Sequence, residues 1–194
     1  MQHNGDSAAV GSARHSTVYA QVFRRGAAVG VGALLVALSA QVVVPVPFSP
    51  VPMTLQPLAV LVVGGLLGAG AGVSALLLYI ALGALGLPVF AAGGSGFLHL
   101  VGPTGGYLLA FPVAAGVTGA LTGRVPTVLR VLLACALGMV IIHTGGVAQL
   151  ALLGGDPSLA MRVGFVPFLT GDLIKVGLAA ALILVAGPRV RSLL

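Results

Sequence analysis

Charge is almost missing from this chain. Of 194 residues, nine are Lys or Arg and three are Asp or Glu, so 6% are charged, against about 25% in a soluble globular domain. A surface that poor in charge cannot be kept in water, which excludes an ordinary soluble fold. Tryptophan is absent and there is one cysteine, Cys135, so no internal disulfide framework exists. No cluster of His, Cys, Asp or Glu has the spacing of metal ligands, and no glycine-rich phosphate loop carries a lysine. The chain is therefore expected to hold no metal or cofactor and not to hydrolyse ATP itself. No nucleophile motif stands out either. The net charge of +6 would suggest nucleic acid in a soluble protein. Here the arginines sit at the ends of apolar runs, where they report topology, and no nucleic-acid partner is expected.

What is present is apolar: 58% of the residues are hydrophobic, 30 are glycine, and the mean hydropathy is +1.16. Small residues let helices approach closely in lipid. A spanning helix needs about 20 apolar residues, and six runs qualify or come near: 20–44, 54–68, 70–87, 104–123, 126–150 and 170–187. The second is short for a span. The expected fold is all-α, a polytopic membrane protein of six transmembrane helices in one bundle. Residues 1–19 are polar and without periodicity and read as a disordered cytoplasmic tail, leaving 20–194 as a single domain. A cleavable signal peptide, with Ala37-Leu38-Ser39 as the cleavage site, is the competing reading of the first run.

The arginines orient the bundle. With six spans, Arg14, Arg24, Arg25, Arg124, Arg130, Arg189 and Arg191 share the side of the N-terminus, and only Arg162 and Lys175 lie opposite. The positive-inside rule then puts both termini in the cytoplasm. The outer connections are 45–53, 88–103 and 151–169, and they are too apolar for solvated loops. Irregular backbone at membrane depth is tolerated where it is buried or lines a cavity, so these loops are expected to cap a substrate pocket facing outward.

Three stretches could furnish that pocket. Four prolines within 45–52 force an extended path and deliver Thr54 and Gln56 to the start of the second helix. Gly93-Gly94-Ser95-Gly96 is a flexible segment, and Gly102-Pro103-Thr104-Gly105-Gly106-Tyr107 supplies a turn, an N-cap in Thr104, close backbone approach at Gly105 and Gly106, and a ring in Tyr107. Asp172 and Lys175 lie three apart, on one face of the last helix. They are the only acid and the only lysine in any expected span, and ionisable groups in a span usually face a cavity and a partner. His143, in the outer half of the fifth run, is a weaker candidate. The second, fourth and sixth helices all begin on the outer side, so their free N–H groups point at the same place and favour an anionic, hydrogen-bonding ligand.

These motifs resemble the BioY family, the biotin-specific substrate-binding (S) subunits of energy-coupling-factor (ECF) transporters. Val51-Pro52-Met53-Thr54-Leu55-Gln56 is similar to the family's VPxTxQ stretch. Leu85-Gly86-Leu87-Pro88-Val89-Phe90 followed by Gly102 to Tyr107 matches its central signature. Phe168 to Lys175 resembles its F-x-x-G-D-x-x-K pattern, with Thr170 where the family has proline. The resemblance implies biotin as ligand, with Asp172 accepting from the ureido N–H, Lys175 donating to the ureido carbonyl or orienting Asp172, and Tyr107 covering the ring. It also implies partners, namely a transmembrane coupling protein and two ATPases. The family's Ala-x-x-x-Ala feature is similar to Ala33 and Ala37, which would form the partner interface on a smooth stripe. The alternatives are an S subunit for another vitamin and a membrane-embedded enzyme, for which only His143 with Asp172 would serve.

Overall fold

The computed structural model describes residues 5–123 and 126–193; Arg124, counted in the charge asymmetry, lies outside the described residues. The main chain is helical, as the composition requires. α1 (Gly5–Ser39), α2 (Gln56–Leu67), α3 (Ala69–Ala84), the short α4 (Leu98–Val101), α5 (Gly105–Thr122), α6 (Val128–Gly154), α7 (Pro157–Gly164) and α8 (Leu169–Ser192) follow in order. α1 thus begins within the polar stretch that the sequence reads as a tail.

Six of these helices coincide with the six apolar runs, yet among the described residues four segments are long and apolar enough to cross a membrane: Gln21–Ser39, Gly105–Thr122, Val128–Gly154 and Pro157–Ser192. α2 and α3, at 12 and 16 residues, would reach about 18 and 24 Å at 1.5 Å per residue. α2 is sheltered. It packs against α1, α3, α5, α6 and α8, and its side chains enter both hydrophobic clusters, Val60 and Val63 in one, Leu61 and Val62 in the other. The outer faces of the longer helices carry Leu133, Leu137 and Val140 on α6 and Leu173, Ile174, Leu178 and Val185 on α8, all exposed. Exposed apolar surface on this scale suits contact with lipid and not with water.

Glycine explains how so many helices fit. A Cβ on Gly64 would overlap the Ala115 carbonyl, and one on Gly119 would meet the Gly64 carbonyl oxygen at 2.6 Å, so α2 and α5 touch backbone to backbone. Gly106 and Gly145 do the same for α5 and α6: a Cβ on Gly145 would lie 2.6 Å from the Gly106 carbonyl oxygen. Without a hydrophobic force between helices in lipid, close approach of this kind is what holds them. At the far end of the bundle from the pocket, the Arg191 guanidinium donates to the Gly65 carbonyl.

Two expectations about the connections change. The proline-rich loop is bracketed by a small antiparallel ladder, β1 (Val43–Val44) with β2 (Met53–Thr54), pairing Val43 with Thr54 and Val44 with Met53. The four intervening prolines have no N–H to donate, so pairing is confined to the residues flanking them. The connection 151–169 is mostly helical. α6 continues to Gly154, and α7 is capped by Asp156, whose carboxylate accepts from the N–H groups of Ser158 and Leu159 at 2.8 and 3.1 Å. An N-cap Asp with Pro next is a helix-start signature.

Candidate functional site

The starts of α2, α5 and α8 meet at one end of the bundle, around a cavity of about 190 Å3. Gln56 and Pro57 reach it from α2, Thr104 and Tyr107 from α5, and Phe168 and Asp172 from α8. None of the three helices is capped by the side chain of its N-cap residue; the first N–H of α2, on Gln56, donates to Thr54 Oγ1 at 3.2 Å, and those of Gly105 on α5 and Leu169 on α8 donate to the Gly102 and Val166 carbonyls. Thr104 holds the N-cap position of α5 but does not cap it. Its backbone is already helical (φ −93°, ψ −9°), whereas a capping residue normally sits in the extended region. Its side chain lines the cavity instead.

The polar wall centres on Asp172. Successive turns of α8 place Asp172 and Lys175 on one buried face, each 5% exposed, and the Lys175 ammonium donates to Asp172 Oδ1 at 3.0 Å. The other oxygen, Oδ2, lies 2.5 Å from Nε2 of His143 on α6. His143 Nδ1 faces the Gly164 carbonyl at 3.3 Å, and the same carbonyl accepts from the Tyr107 hydroxyl at 2.5 Å. Tyr107 and Phe165 stand edge-on to the His143 ring, at centroid distances of 5.9 and 5.1 Å. Burying a charged pair costs desolvation that its attraction barely offsets. Its presence beside a cavity is therefore better explained by binding than by stability.

This cluster leaves hydrogen-bonding capacity unused. Each Asp172 oxygen can accept a second bond, and among the described residues Lys175 Nζ donates to Asp172 alone, leaving two of its three N–H groups. A second polar group sits across the cavity. Thr54 Oγ1 donates to Gln56 Oε1 at 3.1 Å, Gln56 Nε2 donates to Tyr79 Oη at 2.6 Å, and Tyr79 donates to the Val89 carbonyl at 3.2 Å. The rest of the wall is apolar, with Leu108, Phe111, Ile142 and Phe168 prominent. Among the described residues no group of His, Cys, Asp and Glu could hold a metal ion.

Of the residues singled out from sequence, Asp172, Lys175, His143, Tyr107, Thr104, Gln56 and Thr54 all line the cavity. Gly105 and Gly106 are buried beneath it, where a Cβ would strike the Leu100 and Gly145 carbonyls; their role is packing. Gly94 and Ser95 do not line it but shape its roof. Gly94 leaves no room for a Cβ against the His99 ring, and the Ser95 carbonyl lies 2.9 Å from His99 Nδ1. His99 itself reaches the cavity, as does Ala91. Ala33 is 3% exposed and packs in the core, so its side chain is not presented to an outside helix; Ala37 is half-buried. Sequence reasoning missed Tyr79, Phe111 and Phe168. Phe111 carries a signal, lying four residues after Tyr107 on one helical face.

A helical membrane protein with a mostly apolar cavity and one charged corner is built to bind a small solute. The chain belongs to the BioY family, whose model matches residues 12–192. It is 39% identical over 148 residues to the probable biotin transporter BioY of Pyrococcus horikoshii, covering 76% of this chain and 88% of that protein. It is 42% identical over 139 residues to the biotin transporter BioY of Thermotoga maritima, covering 72% and 82%. Its fold matches the crystal structure of an S-component for biotin from an ECF-type ABC transporter with a TM-score of 0.78 at 24% identity, covering 89% of this chain and 93% of that one.

Proposed function

We propose that the protein takes up biotin across a bacterial cytoplasmic membrane, as the substrate-binding subunit of an ECF transporter. The buried Asp172–Lys175 pair at the corner of an apolar cavity carries this reading. Biotin has a ureido ring with two N–H donors and one carbonyl acceptor, an apolar thiophane ring and an anionic valerate. The unused acceptor sites of Asp172 suit the ureido N–H groups, and the uncommitted Lys175 N–H groups suit its carbonyl. Phe111, Phe168 and Tyr107 would cover the apolar ring, and the start of α5 beside Thr104 favours the carboxylate. The family and the names of the curated relatives point the same way.

The positive-inside rule puts both termini in the cytoplasm and the cavity at the outer side. Transport then draws on a transmembrane coupling protein and two ATPases, or proceeds with this subunit alone. The test is to purify the protein from cells grown with mixed vitamins and identify bound small molecules by mass spectrometry. Titration with biotin, thiamine and riboflavin follows. Biotin should be recovered and should bind most tightly; recovery of another vitamin, with no biotin binding, would overturn the assignment.

A further inference from the structure

Lys175 and Asp172 lie on one face of one helix at a spacing that lets their side chains pair. A pair with both carboxylate oxygens turned to the ammonium would present little to a solute. The structure shows a different arrangement, because one oxygen is drawn across to a second helix: Oδ2 faces His143 Nε2 at 2.5 Å while Oδ1 keeps Lys175 at 3.0 Å.

We propose that His143 is a positioning residue of the binding site, holding the Asp172 carboxylate spread between α6 and α8 so that its remaining acceptor sites face the cavity. The inference rests on the reading of Asp172 as the group that meets the solute. The shorter contact identifies Nε2 as the nitrogen that donates to the carboxylate, an assignment taken from the hydrogen-bond geometry. The ring cannot easily turn away. Tyr107 and Phe165 flank it edge-on, and Phe168 lies against it at a centroid distance of 5.9 Å. Lys175 and Tyr107 are the other titratable groups lining this corner of the cavity. A donor locked on a neighbouring helix fixes both the rotation of the carboxylate and the separation of α6 from α8. Binding then begins from a preformed acceptor instead of from a pair that must first be opened.

The full-length protein tests this with two variants. His143→Phe keeps an aromatic ring among Tyr107, Phe165 and Phe168 but removes the donor. His143→Gln returns an N–H near the position of Nε2. Loss of a hydrogen bond to a charged group predicts that His143→Phe weakens biotin binding about tenfold or more, and that His143→Gln recovers most of that loss. In an Asp172→Asn background His143→Phe should change affinity less than about twofold, because its effect passes through the carboxylate. In the unliganded protein labelled with 15N-histidine, a short hydrogen bond to a carboxylate should give a far-downfield ring proton that disappears in Asp172→Asn. An equal loss from His143→Phe with and without Asp172, or a Gln variant no better than Phe, would overturn the proposal. So would a ring proton indifferent to Asp172. Should biotin fail to bind while that proton signal is present and sensitive to Asp172, the solute assignment falls and the positioning role stands.

Discussion

Asp172→Asn separates the charge of the central carboxylate from its shape. The asparagine could keep both contacts: its carbonyl can accept from Lys175, and its amide can donate to His143 if the ring turns its other tautomer to the Gly164 carbonyl. The loss is the negative charge beside an ammonium that is 5% exposed. Breaking a buried ion pair by removing one partner costs about 3–5 kcal/mol, which for a chain of this size corresponds to a melting point roughly 6–20 °C lower. The ligand loses a charged acceptor as well, worth about ten- to a hundredfold in affinity. The protein contains its own probe for the melt, since Cys135 is its one cysteine and is fully buried. A thiol-reactive fluorogenic dye should therefore report unfolding without further labelling. Lys175→Met added to Asp172→Asn should return much of the lost stability, because neither charge then remains buried. Wild-type melting and affinity in Asp172→Asn would refute the reasoning, and so would a double variant whose losses simply add.

Ala37→Trp should block assembly with a coupling protein and leave biotin binding intact, whereas Ala33→Trp, at a position 3% exposed, should lower the melting point of the isolated subunit. Gly106→Ala should destabilise by about 1–3 kcal/mol, because its Cβ collides with the Gly145 carbonyl; an unchanged melting point would show that α5 and α6 can part. Single cysteines at Ser12 and Ser192, in a variant lacking Cys135, should resist membrane-impermeant thiol reagents in intact cells; labelling of either from outside would reverse the proposed orientation. The Asp156 carboxyl is held below its usual range, first by its hydrogen bond from the Ser158 side chain and then by the backbone N–H groups of Leu159 and Ser158. A depressed value means that the cap is fully present above the unfolded carboxyl's pKa of about 3.9 and is lost as pH falls through the folded value. Amide exchange at Leu159 should accelerate there, and exchange in Asp156→Ala should already be fast at neutral pH.

The all-α class, the six helical segments and the charged corner were legible because they rest on composition and on spacing within one helix. Asp172 and Lys175 needed only the three-residue offset of a helix. The partnership of His143 with Asp172 depends on how α6 is rotated against α8, which packing sets and no local pattern encodes. Gln56 was visible as a helix-start residue, but its bond to Tyr79 requires α2 and α3 to fold back side by side. The helical character of 157–164 rests on Asp156-Pro157-Ser158, a short start signature set between two long apolar runs that dominate the pattern. The length of α2 shows where counting apolar residues fails, since a helix walled in by five others has no need to match the thickness of a bilayer.

One carbonyl ties the cavity wall to a neighbouring helix. Gly164 ends α7, where a helix leaves carbonyl groups without partners, and its oxygen faces both Tyr107 and His143. α7 is thereby latched to Tyr107 of the cavity wall, beside the His143 ring, through a single atom. Lifting α7 would leave the Tyr107 hydroxyl without its acceptor, at about 1–3 kcal/mol. α7 contributes no side chain to the cavity lining, yet through that one atom its position bears on where the Tyr107 ring stands in the wall.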